Sequence, residues 1–156
     1  MALTKINHQS APAGHIVQTT AMVAVDDMQA TGSNSSQNSA LGNGVLCNIT
    51  PVRANSKIRI CLSYYVFITD GTAANLFMAR SVAGGSYSYV NSGKVSNRFE
   101  GQWSNATMDL IDTPTYTLGQ QITYQPYWYT SNTSATMYFG MGQYGTTTFY
   151  CQEIAG

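Results

Sequence analysis

Lys57-Ile58-Arg59-Ile60-Cys61-Leu62-Ser63-Tyr64-Tyr65-Val66-Phe67-Ile68-Thr69 is the stretch that decides the fold. Side chains of a β-strand alternate between its two faces. Ile58, Ile60, Leu62, Tyr64, Val66 and Ile68 therefore share one face, and that face is wholly apolar. Lys57, Arg59, Cys61, Ser63, Tyr65 and Phe67 share the other, polar at its start and aromatic later. A strand with one greasy face must lay that face on a core. Ile58, Ile60, Leu62, Tyr64 and Val66 are the expected inward set.

Working outward, the same alphabet of short β-runs and turn residues continues in both directions. Upstream, Val45–Thr50 reads as a short strand closed by Pro51, because proline cannot donate to a strand ladder. Ile16–Val25 reads as another, and the polar run between them, Asp26–Gly44, reads as a long loop. Residues 1–14 are polar, carry Pro12 and Gly14, and read as an arm. Downstream, Asn75–Val82 and Ser86–Val90 flank a hairpin tip at Gly84-Gly85. Lys94–Trp103 alternates in part, and Thr107–Ile111 is short. Gln121–Thr130 is rich in aromatics, and its Pro126 suggests an edge position or a bulge. Ala135–Gly142 and Thr146–Ile154 suggest a terminal hairpin across Gln143-Tyr144-Gly145. No window sustains a helical period. The reading is one all-β domain over residues 15–156, an antiparallel β-sandwich, jelly-roll-like, with about eight to ten strands.

Composition narrows the function classes. The chain has 156 residues, with 7 basic and 7 acidic side chains and zero formal net charge. Charged residues are 9% of the chain, against about 25% in ordinary domains. The surface is instead supplied by 15 Ser, 18 Thr, 11 Asn and 10 Gln. Phosphate-gripping nucleic-acid binders need clustered Lys and Arg, so no nucleic-acid partner is expected. No apolar run reaches the length of a membrane-spanning helix, and the amino terminus lacks the apolar segment of a secretory signal, so no membrane partner is expected.

Catalytic chemistry finds little to work with. The two histidines, His8 and His15, lie in or beside the arm, badly placed for a preorganised base. The acids sit mostly at strand ends and turns, where Asp caps or initiates. The chain is therefore read as not an enzyme, with no cofactor and no metal site. Cys47, Cys61 and Cys151 follow no ligand spacing and read as buried free thiols, although Cys47 and Cys61 would bridge if neighbouring strands placed them opposite. Trp103, Tyr127, Trp128 and Tyr129, with Tyr124, concentrate large amphipathic rings. Two readings stand for them: core or subunit interface, and glycan contact. Arg53, Lys57 and Arg59 form a local basic cluster, either a solvated strand end or a patch for an acidic protein surface.

Four segments together resemble the small β-rich structural proteins of tailed bacteriophages, marine and cyanobacterial ones in particular. They are Pro12-Ala13-Gly14-His15-Ile16-Val17-Gln18-Thr19-Thr20, then Val45-Leu46-Cys47-Asn48-Ile49-Thr50-Pro51 with Ala54-Asn55-Ser56-Lys57-Ile58-Arg59-Ile60, then Leu110-Ile111-Asp112-Thr113-Pro114, and finally Cys151-Gln152-Glu153-Ile154-Ala155-Gly156. The I-T-P…S-K-I pair is the most specific of these, and reads as two sequential antiparallel strands anchoring one sheet. The resemblance implies a jelly-roll-like sandwich that trimerises and serves in assembly without catalysis. It implies a virion protein, made in the bacterial host cytoplasm. A free-standing module with a short arm suits a homotrimeric capsid decoration (cement) protein seated on the major capsid protein. The alternative is a tail-fibre or receptor-binding module contacting a host surface glycan. The expected partner contacts are Lys5 and His8 of the arm and His15 beside it, with Arg53, Lys57 and Arg59 of the basic cluster.

Overall fold

The computed structural model describes residues 11–22, 28–31, 39–40, 45–69, 74–90, 95–97, 103–130, 135–139 and 147–156. Among them are twelve strands: β1 Ile16–Met22, β2 Met28–Thr31, β3 Ser39–Ala40, β4 Cys47–Ile49, β5 Lys57–Ile68, β6 Ala74–Val82, β7 Ser88–Tyr89, β8 Val95–Asn97, β9 Ser104–Asp112, β10 Ile122–Thr130, β11 Thr136–Phe139 and β12 Thr148–Ile154. Every pairing is antiparallel, and the strands form two sheets.

β5 is the spine of the first sheet. One edge pairs with β9 from Ile58↔Asp112 to Val66↔Ser104. The other edge pairs with β12 at Lys57–Ser63 and then with β11 at Val66–Ile68. Beyond these, β1 lies on β12 and β2 on β11. β10 is the spine of the second sheet. β6 covers one edge from Ile122↔Val82 to Thr130↔Ala74. β4 and β3 share the other edge, and β7 and β8 share the outer edge of β6. The twelve strands thus occupy eight rows, four to a sheet: a jelly-roll-like β-sandwich.

The core follows the alternation. Ile58, Ile60, Leu62, Val66 and Ile68 are fully enclosed, with Tyr64 1% exposed. They face Met78, Leu76, Ile122, Tyr124 and Trp128 of the second sheet within one apolar cluster.

Three expectations are corrected. β4 and β5 do not pair: β4 belongs to the second sheet and β5 to the first, so residues 50–56 cross between sheets. β11 and β12 form no hairpin with each other; both lie along the same edge of β5, and the expected turn at Gln143-Tyr144-Gly145 falls outside the described residues. β10 is an interior row, not an edge. Pro126 is tolerated there because β4 pairs at 122–124 and β3 at 127–128, leaving it in the gap between them. The turn after β6 also differs by one residue. Its central pair is Ala83-Gly84, both with positive φ (50° and 73°), closed by Gly85 N–H donating to Val82 O at 3.0 Å.

Buried polar groups tie the layers together. Glu153 is fully enclosed on β12. Its Oε1 accepts from Arg53 N at 3.0 Å and Ser56 Oγ at 2.7 Å, and its Oε2 from Val52 N at 3.0 Å and Gln18 Nε2 at 2.6 Å. One carboxylate thereby holds the sheet-crossing link. Tyr116 braces the same link, accepting from Ser56 N at 3.0 Å and donating to Arg53 O at 2.6 Å. On β9, Asp112 pairs with Arg80 of β6 and accepts from Tyr124 Oη of β10 at 2.9 Å. Burial first, and then the Asp112 charge, push the Tyr124 phenol far above its ordinary value.

Candidate functional site

The aromatic concentration in β10 is split by the strand period. Tyr124 and Trp128 point inward, 0% and 1% exposed. Trp128 is therefore a core side chain, as one of its two readings had it, and is removed as a glycan contact: position 128 shares the face of Ile122 and Tyr124. Tyr127 and Tyr129 are half-buried on the opposite face.

Around Tyr127 the second sheet builds a site. Phe77 of β6 is its direct cross-strand partner, and Tyr89 of β7 is opposite Ala79. Tyr87 stands just before β7. The ring centroids of Tyr87 and Tyr127 are 5.7 Å apart at 58°, those of Tyr89 and Tyr127 6.4 Å apart at 85°, and those of Phe77 and Tyr89 5.5 Å apart at 47°. None of these pairs lies flat, so the rings frame a hollow instead of closing on one another. The hollow is a shallow open cleft of about 240 Å³, lined by Ala79, Tyr87, Ser88, Tyr89 and Tyr127. Tyr87 and Tyr89 are 42% and 38% exposed, while Ala79 beneath them is 2% exposed. Among the described residues, no charged side chain lines it. Partial desolvation raises the Tyr89 and Tyr127 phenols, so both are neutral donors and acceptors at ordinary pH.

Trp103 belongs to a different cluster, on the outer face of the first sheet. It stacks on Tyr65 (5.1 Å, 2°) and on Phe67 (5.0 Å, 30°), with Tyr138 6.5 Å away. These rings cover one another, which leaves less free ring surface than the tilted tyrosines do.

The expected partner contacts do not form one patch. Lys5 and His8 lie outside the described residues. His15 is exposed, and its carbonyl accepts from Ala155 N at 2.9 Å, while Gly14 N donates to Ala155 O at 2.8 Å. Arg53 turns its guanidinium onto Ala11 O at 2.6 Å. Arg59 is engaged by Asp109 through two contacts of 2.9 and 2.5 Å, which holds the Asp109 carboxyl below its usual range. Of the basic cluster, Arg53 and Arg59 are thus already occupied within the chain. Lys57 is exposed at the start of β5. Cys47 and Cys61 cannot bridge: Cys47 is buried on β4 of the second sheet, and Cys61 looks outward from β5 beside Tyr150. Among the described residues, no group of three or more His, Cys, Asp and Glu is placed to hold a metal.

Sequence reasoning missed Tyr87, Tyr89 and Phe77. Their signal was the hairpin: once Ala79 pairs with Tyr89, the period of two puts Phe77, Ala79, Tyr87 and Tyr89 on one side.

No protein-family model matches the chain, and no curated protein matches it. Solved structures of similar fold include one described as "CBM4 structure and function", at 14% identity over 78% of this chain and 89% of that one, with a TM-score of 0.39. Another is the CBM22-1 xylan-binding domain from Paenibacillus barcinonensis Xyn10C, at 14% identity over 94% and 99%, with a TM-score of 0.38.

Proposed function

We propose that this protein is a non-catalytic module that binds a neutral glycan in the tyrosine cleft of its second sheet. The observation that carries the reading is the cleft: Tyr87, Tyr89 and Tyr127 tilt around an uncharged hollow with Ser88 at its side. A sugar ring offers an apolar C–H face and a rim of hydroxyls. Tyrosine matches both, with an apolar ring and a polar tip. The volume, about 240 Å³, lies below the roughly 300–1,000 Å³ of drug-sized pockets. It suits one sugar ring of a chain that runs on across the sheet. A site whose described walls carry no charge favours neutral sugars over acidic ones.

In the setting that the sequence resemblance implies, this is the fibre or receptor-binding form of a virion protein. The decoration form needs the basic cluster free for an acidic partner, and Arg53 and Arg59 are engaged within the chain.

Affinity electrophoresis in gels cast with neutral polysaccharides of hexoses and of pentoses tests the proposal. Retardation by at least one is expected, lost in Tyr127→Ala with an unchanged melting temperature. Unretarded migration through all of them, or retardation in Tyr127→Ala and Tyr87→Ala undiminished from wild type, would overturn it.

A further inference from the structure

Two cysteines outside the tyrosine site are brought together from opposite sheets. Cys47 sits on β4, which pairs with β10 on one side and meets β1 on the other. Its Sγ lies 3.6 Å from Thr20 O and 3.7 Å from Thr20 Oγ1. Thr20 is the direct antiparallel partner of Cys151 in the β1–β12 ladder. Cys47 is thus seated over the strand pair that carries Cys151: β4 packs against β12 as well as β1, and both thiols lie in the same core cluster, near enough for each to bear on the other's ionisation. They are 1% and 0% exposed. The third thiol, Cys61, faces outward beside Tyr150 and takes no part.

We propose that Cys47 and Cys151 form an oxidisable dithiol that closes into a disulfide between the two sheets. The step requires a two-electron oxidant small enough to enter the core, and a peroxide fits. The Cys47 thiolate attacks one peroxide oxygen, the O–O bond breaks, and hydroxide leaves with the thiol proton as water. The product is a sulfenic acid on Cys47. Cys151 sulfur then attacks Cys47 Sγ, the S–S bond forms, and the sulfenic oxygen leaves as a second water with the Cys151 proton. Two thiols lose two electrons, and one peroxide becomes two waters. Cys47 goes first because the nearby Cys151 thiol favours its thiolate, while the same nearness disfavours ionisation of Cys151. β4 is short and lies at a sheet edge, so its opening is a path for the oxidant.

The bridge would join positions 104 apart (151 − 47). Closing so long a loop restricts the unfolded chain strongly, and the melting temperature should rise by roughly 5–15 °C. The test treats the folded protein, wild type and Cys61→Ser, with hydrogen peroxide, followed by non-reducing peptide mapping. The expected result is loss of two hydrogens in mass, a peptide joined through Cys47 and Cys151, and a raised melting temperature that dithiothreitol reverses. Recovery of both thiols free after surface methionines have oxidised would overturn the proposal. So would a Cys47–Cys151 bridge that leaves the melting temperature unchanged or lowers it. Wild type alone decides both outcomes, and Cys47→Ala is expected to abolish the temperature rise.

Discussion

Replacing Glu153 by Gln tests how much of the fold hangs on one buried carboxylate. The change keeps the side-chain shape and leaves no cavity, so it isolates the acceptor. In the native chain two oxygens take four hydrogen bonds, all from uncharged donors: Arg53 N, Ser56 Oγ, Val52 N and Gln18 Nε2. An amide keeps one oxygen and turns an NH2 toward two of those donors. Ser56 can rotate its hydroxyl to accept, but Arg53 N and Val52 N cannot change sign. A hydrogen bond to a charged group contributes about 1.5–3 kcal/mol, and a buried donor left unmade costs about 1–3 kcal/mol. The expected loss is about 2–4 kcal/mol. That corresponds to roughly 4–16 °C in melting temperature for a chain of this size. Guanidinium unfolding followed by tryptophan fluorescence should show a lower midpoint with an unchanged slope. Amide exchange at Val52 and Arg53 should quicken, because these N–H groups lose their acceptor. A loss below about 0.5 kcal/mol, the scale of ordinary surface changes, would refute the claim that Glu153 holds the sheet-crossing link.

Leu62 is fully enclosed at the centre of β5, so Leu62→Ala should cost about 2–5 kcal/mol in the same denaturation assay. Ala83 holds a positive φ of 50° at the hairpin tip, and Ala83→Gly should raise stability by roughly 0.5–1 kcal/mol, read as an upward shift in thermal midpoint. Burial and Asp112 raise the Tyr124 phenol, so its contribution is complete below the unfolded-state value of about 10 and is lost as pH rises beyond it. Tyr124→Phe should flatten the alkaline fall in stability measured across that range. Asp109, held low by Arg59, works in the opposite direction: its contribution is present above the ordinary carboxylate range and disappears as pH falls. Because that pair is about two-fifths exposed, Asp109→Asn should barely move the midpoint, and less so at high salt.

The alternation in Lys57–Thr69 was a complete message, because one face of β5 packs on the core along its whole length and the period of two translates directly into burial. β10 was half-legible. Its aromatics announced a strand, but which rings face out depends on register, and Trp128 took the inward position on the far side of the Pro126 gap. The tyrosine cleft was hidden for a related reason: its rings come from β10 and from the segment around β7, and their meeting depends on β6 lying between those strands. The I-T-P…S-K-I segment was misjudged because nearness in sequence suggested pairing. The partner that fixes its path, Glu153, lies about a hundred positions away. β2 and β3 lay inside a run too polar to show a strand period.

The seating of β1 against β12 sets an order for making the protein. Ile16 pairs with Ile154, and Leu62 of the spine pairs with Met108 on one side and Phe149 on the other. During synthesis, β1 emerges with no pairing partner in its own sheet until β12 arrives. β5 likewise waits for β9, β11 and β12 while its apolar face is already out. The nascent chain thus carries its most adhesive surface uncovered for most of translation, and the first sheet closes only after Ile154 has been made. Pairings so distant in sequence make closure slow, and the interval before it is when a holding chaperone or a neighbouring nascent chain competes for Ile58, Ile60 and Leu62.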